Sequence, residues 1–107
     1  MFMDKALYSL HADMCKTFSS STRLEILEAL RDGPLSVSEL VKRTGASQAN
    51  VSQHLSVMKG KGVVKSRRNG VNVYYEIANP KLLRAFDIIR EVLREKLKGN
   101  KRIAKGL

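Results

Sequence analysis

The side chains in this chain best placed to do chemistry are short, neutral and capable of hydrogen bonding. Gln48, Asn50, Ser52, Gln53 and Ser56 crowd into residues 48–56. Gln and Asn amides match the donor–acceptor edge of adenine, and Ser can donate or accept. Downstream come Lys59, Lys61, Lys65, Arg67 and Arg68, cations suited to neutralising phosphate. Residues 40–75 hold seven basic side chains and no acid, whereas residues 1–39 hold four basic and six acidic ones. Residues 76–107 hold nine basic and four acidic, and the whole chain of 107 residues carries +10. An acid-free stretch of that length suits a polyanion-binding face. The alternative is a solvated surface kept soluble by its charge, and local structure must decide between them.

Other chemistries find little support. No paired carboxylates, nucleophile–base pair or phosphate loop stands out, and Gly60-Lys61-Gly62 is too short to be one. The expectation is a protein that is not an enzyme and carries no cofactor. His11 and Cys15 are four residues apart and share a helix face, so they can offer two metal ligands. The alternative is an ordinary interface helix with a small buried thiol. Cys15 is the single cysteine, which excludes an intrachain disulfide and fits a reducing cytoplasm. Only Lys16 is close enough in sequence to activate that thiol as a redox switch. No apolar run approaches a membrane span, and the N-terminal residues lack the pattern of a signal peptide.

The elements that must position these groups follow from periodicity and capping. Met3, Leu7, Leu10, Met14 and Phe18 predict a first helix over 3–18. Ser20 is the expected N-cap of a second helix carrying Leu24, Ile26, Leu27 and Leu30, which ends at Gly33-Pro34. Ser36 and Glu39 have capping-box spacing for a short third helix that stops at Gly45. Ser47 opens a fourth, with Val51, Leu55 and Met58 on its buried face. Residues 63–68 and 71–77 predict two strands, joined by a type I′ turn at Asn69-Gly70. Asn79-Pro80 starts a last helix expected to reach about Lys98, followed by a basic flexible tail over 99–107.

Two short helices joined by a tight turn, followed at once by a basic hairpin, make a winged helix-turn-helix. The fold expected is mainly α with a β-hairpin wing, in the order α-α-α-α-β-β-α. It forms a single domain over 1–98, with the helix-turn-helix at about 36–60 and the wing at about 63–78. The core expected is Leu24, Leu27, Leu30, Leu40, Val41, Val51, Leu55 and Ile77. The stripes Leu7, Leu10, Met14 and Phe86, Ile89, Leu93, Leu97 exceed what a monomer of this size needs. They predict dimerisation through the first and last helices, unless those helices simply cap a monomeric core.

Four segments carry a family resemblance: Ser21-Thr22-Arg23-Leu24-Glu25-Ile26-Leu27, Leu35-Ser36-Val37-Ser38-Glu39-Leu40, Ser47-Gln48-Ala49-Asn50-Val51-Ser52-Gln53-His54-Leu55, and Arg67-Arg68-Asn69-Gly70 with Val73-Tyr74-Tyr75. Over about residues 5–97 the chain resembles the ArsR (ArsR/SmtB) family of transcription regulators. The resemblance implies a homodimer on a palindromic operator in double-stranded DNA, usually a repressor released by an effector. It places base contacts on Gln48, Ala49, Ser52 and Gln53, with Ala49 limited to a thymine methyl. Lys59, Lys61, Lys65, Arg67, Arg68 and Asn72 are expected on the DNA backbone or in the minor groove. His54 is read either as a DNA contact or as a partner for the neighbouring helix, and Arg23 as an ion-pair or phosphate contact. Many relatives place thiolates where this chain has Ser36 and Ser38, and Asp and His pairs on the last helix, where it has Asp87 without His. Hydroxyls are poor ligands for soft metals, so no metal site is expected. Two other readings stay open: a nucleic-acid binder without sequence preference, and a winged helix whose wing binds protein.

Overall fold

The computed structural model describes residues 4–106, with side chains described through Asn100; Met3 and the side chains of Lys101, Arg102, Lys105 and Leu107 lie outside that set. The elements are α1 (Lys5–Thr17), α2 (Ser21–Ala29), a 3-10 turn (Leu30–Asp32), β1 (Leu35–Ser36), α3 (Val37–Thr44), α4 (Gln48–Gly60), β2 (Val64–Asn69), β3 (Asn72–Ile77) and α5 (Lys81–Gly106). The helix starts fall where hydroxyl caps put them. Ser20 accepts from the Arg23 N–H, Ser47 accepts from the Asn50 N–H, and Ser36 and Glu39 form a reciprocal capping box.

The turn between α3 and α4 is built locally. Gly45 takes φ 75°, a left-handed value that disfavours any side chain, and its N–H donates to the Val41 carbonyl at 2.8 Å. The Thr44 hydroxyl donates to the Leu40 carbonyl at 2.8 Å and accepts from the Ala46 N–H at 3.2 Å. The turn therefore satisfies its own polar groups and holds the two helices at a fixed angle.

The sheet adds a strand to the expected order. Leu35 and Ser36 pair antiparallel with Tyr75 and Tyr74, giving three strands in the order β1-β3-β2. The hairpin turn also differs. Asn69 pairs with Asn72, so the central residues are Gly70 and Val71, not Asn69 and Gly70. Gly70 has φ 67° and Val71 does not have a positive φ. Positive φ at the first central position alone is the type II′ pattern. A β-branched residue resists the second positive φ that type I′ demands. Val71 stands at the tip, 95% exposed.

Ile26, Leu27, Leu30, Leu40, Val51, Leu55, Met58, Val63, Val64 and Phe86 form the core, with Leu24, Val41 and Ile77 packed at its margin. Phe86, expected on a dimer face, is instead 6% exposed and meets the Phe18 ring edge-on at 4.8 Å. It anchors the start of α5 to the end of α1. Past this anchor α5 runs on to Gly106, so residues 99–106 are helical backbone where a flexible tail was expected. One glycine costs a helix only about 1 kcal/mol, and Gly99 lacks the following proline that ends α2's turn. The Cα radius of gyration is 16.9 Å, against about 13 Å for a compact chain of this length. The long α5 accounts for the difference. No helix among the described residues is long and apolar enough to cross a membrane.

A cluster of charges clamps α5 to α2. Arg31 donates to both oxygens of Glu28 (2.6 and 2.9 Å) and of Asp87 (2.6 and 3.1 Å), and Arg90 also donates to Glu28. The Arg31 and Arg90 hydrogen bonds, working against partial burial, lower the Glu28 carboxyl to about 2 from an ordinary 4.5. Because the folded value lies below the unfolded one, the unfolded chain takes up its proton first as pH falls. The clamp's contribution is thus complete above about pH 4.5 and is lost as pH falls toward about 2. Urea midpoints measured across that window should fall for the natural chain and fall less steeply for Glu28→Gln.

Candidate nucleic-acid interface

Three inward residues fix which side of α4 is free. Val51, Leu55 and Met58 are fully buried, so the opposite side is left to Ala49, Gln53 and Ser56, with Gln48 and Ser52 beside them. Gln48, Ala49, Ser52 and Gln53 are all exposed and share this surface. It holds no charge, and the two Gln amides flank a small Ala and Ser. Such a surface can enter a groove closely and hydrogen-bond to base edges.

The cations surround it unequally. Lys59 and the hairpin's Arg67 and Arg68 are exposed and make no ion pair among the described residues. Lys61 caps the C-terminus of α4 but is held by Asp13 of α1 at 3.0 Å. Lys65 lies directly across the hairpin from Glu76, 3.6 Å away. Both Lys61 and Lys65 are therefore partly neutralised within the chain, which sequence spacing does not reveal. Strand alternation puts Lys65, Arg67, Asn69, Asn72 and Tyr74 on one face of the hairpin and Arg68 on the other. Asn72 is exposed at the start of β3. Pro34, Arg67, Arg68, Asn69 and Tyr74 line a shallow, open concavity between the wing and the loop before β1.

His54 falls at the edge of the buried face. Its Nδ1 accepts from Arg23 Nε at 3.0 Å, and Arg23 also donates to the Thr17 carbonyl at 3.2 Å. Burial, and then the Arg23 charge, lower the His54 pKa from 6.5 and favour the neutral ring. Of the two readings of His54, the inter-helix partner is the one observed. Arg23 makes hydrogen bonds within the chain in place of an ion pair.

The donors at the family's metal positions do not fit a metal. Ser36 Oγ is committed to the α3 cap, and both Asp87 oxygens lie in the fork of Arg31. His11 and Cys15 are exposed on α1. Among the described residues no three His, Cys, Asp or Glu side chains converge on one point. Among the described residues, the large apolar side chains left exposed besides Val71 are Leu7, Tyr8, Leu10 and Met14 on α1, and Ile88, Ile89, Val92, Leu93 and Leu97 on α5. Tyr8, Ile88 and Val92 widen the expected stripes, while Leu93 and Leu97 lie in line with Phe86 along α5 but past the point where the chain's own core ends.

Known proteins share this arrangement. The family model described as bacterial regulatory protein, arsR family, matches residues 20–66, from the cap of α2 through the first half of β2. Rv0081 of Mycobacterium tuberculosis, described as an HTH-type transcriptional regulator, is 39% identical over 88 residues, 81% of this chain and 77% of that protein. Its crystal structure matches with a TM-score of 0.80 at 36% identity, covering 91% of this chain and 98% of that one. The homodimeric winged helix-turn-helix DNA-binding domain of Mb0332 from Mycobacterium bovis matches with a TM-score of 0.79 at 30% identity, over 92% and 95% of the two chains. The transcriptional repressor PagR of Bacillus anthracis is 39% identical over 72 residues, 66% of this chain and 72% of that protein. The matched length, the helix-turn-helix and the wing agree: the chain belongs to the ArsR family of helix-turn-helix transcriptional regulators.

Proposed function

We propose that this protein is a dimeric, sequence-specific reader of double-stranded DNA, acting in the cytoplasm as a repressor and not as an enzyme. The observation that carries the proposal is the uncharged, exposed surface of α4 set beside Arg67 and Arg68 of the wing, which make no ion pair among the described residues. Gln48, Ala49, Ser52 and Gln53 read bases in the major groove. Lys59, Arg67, Arg68 and Asn72 hold phosphate or the adjacent minor groove. Lys61 and Lys65 contribute less, each sharing its charge with a carboxylate. Two copies pair through the exposed stripes of α1 and α5; pairing as such is supported by the description of the Mb0332 domain as homodimeric. Two-fold pairing places two copies of α4 on a palindromic operator with half-sites about 34–36 Å apart. Repression is supported by the names of PagR and of the biofilm growth-associated repressor of Xylella fastidiosa. Ser36 and Ser38 stand where relatives place thiolates, so an effector metal held at that position is not part of this reading.

Selection of bound duplexes from a random pool at physiological salt tests this. A palindromic consensus supports the reading, and an unenriched pool sinks it. The wing makes its own prediction. Arg67→Ala should weaken binding to every duplex alike and reduce the slope of log K against log salt by roughly 2 per dimer, about 0.9 for each copy. Fluorescence anisotropy titrations over a salt series measure it; an unchanged slope means Arg67 is away from the backbone.

A further inference from the structure

Arg23 has a role that neither base reading nor phosphate binding explains. It lies in the first turn of α2, half-buried, with its guanidinium between two other helices. One nitrogen donates to His54 in the middle of α4, and another to the carbonyl of Thr17, the last residue of α1. Thr17 is itself buried. A single side chain thus joins α1, α2 and α4. A second link, between Asp13 and Lys61, ties α1 to the C-terminal end of α4. The helix carrying one exposed apolar stripe is therefore fastened to the helix carrying the reading surface at two points.

We infer that Arg23 and His54 are positioning residues: they fix α4 against α1, and so set the pitch and spacing of the two reading surfaces in the dimer without touching DNA. The part of this inference that concerns DNA rests on the function proposed above. The Asp13–Lys61 pair is exposed on both sides, and exposed ion pairs hold geometry weakly. The Arg23–His54 bond is partly shielded from water, directional, and made by a charged donor to a neutral ring, so it does more of the holding. Removing the acceptor leaves a half-buried guanidinium with an unmet donor. Because His54 directly follows Gln53, any shift of α4 there moves the reading surface itself.

The test uses the full chain and its selected operator duplex, with His54→Phe, His54→Asn, Arg23→Gln and the His54→Phe, Arg23→Gln double variant. Asn offers an acceptor near the position of Nδ1; Phe offers none. Amide hydrogen exchange in the free protein reports on α4 and the last turn of α1, and titrations report affinity for operator and scrambled duplexes. The expected result is faster exchange in both segments and about tenfold weaker operator binding for His54→Phe and Arg23→Gln, with scrambled-duplex affinity unchanged. The double variant should be no worse than either single one, and His54→Asn should stay within about threefold of the natural chain. Additive losses, or faster exchange with unchanged operator affinity, overturn the inference. A natural chain that fails to prefer operator over scrambled duplex overturns the proposed function instead. In that case the exchange data still decide the bridge: unchanged exchange in His54→Phe refutes it.

Discussion

Leu93→Glu should halve the molar mass in solution and weaken operator binding by two to four orders of magnitude. Leu93 lies about half exposed on α5, between Ile89 and Leu97 and next to Val92, all left uncovered by the chain's own core. A carboxylate there meets its symmetry copy or the partner's apolar surface, and burying an unpaired charge is far more costly than losing a methyl contact. The monomer can then occupy only one half-site. It loses the effective concentration that ties the second reading helix to the operator, a factor of about 10² to 10⁴. The substitution lies outside the buried core cluster, so the fold itself should persist. Size-exclusion with light scattering gives the mass, circular dichroism the fold, and anisotropy the affinity. A variant that remains dimeric moves the interface elsewhere.

Gln53→Ala should cost about 1–3 kcal/mol on the operator and broaden the range of sequences bound. Gln53 sits opposite the buried Val51 and Leu55 line, with no side-chain hydrogen-bond partner among the described residues that its loss would orphan. Its amide is long enough to reach a base edge from a helix backbone that neighbouring Ala49 and Ser52 allow to approach closely. Scrambled duplex should be bound as before, since its affinity comes from phosphate contacts. An equal loss on operator and scrambled DNA would remove Gln53 from base reading.

The parts of this molecule that were legible in the sequence are those with local signals. Ser20, Ser36 with Glu39, Ser47 and Gly45 mark helix ends through bonds that span four residues or fewer, and each forms as its spacing implies. β1 carries no local signal because Leu35-Ser36 is too short to show alternation; it is a strand only because β3 lies beside it. The hairpin turn shifted by one residue because the Asn-Gly signal favours type I′, which Val71 resists. Phe86 shares one line of α5 with Leu93 and Leu97, and periodicity alone cannot say where along that line the chain's own core ends. The Arg23–His54 bond spans thirty-one positions and the Asp13–Lys61 bond forty-eight. Such pairings depend on packing angles that no local pattern encodes. The charge window was legible as a total, but its distribution was not: of its wing cations Lys65 is paired, while Arg67 and Arg68 remain available.

Sequence-specific reading by α4 is the central claim, and the ratio of affinities for operator and scrambled duplex at physiological salt tests it most directly. The arrangement of Gln48, Ser52 and Gln53 beside the wing's Arg67 and Arg68 predicts a ratio of about 10³ or more for the dimer. A ratio near one, with a salt slope as steep as for the operator, would mean that the surface binds phosphate alone and would contradict the account.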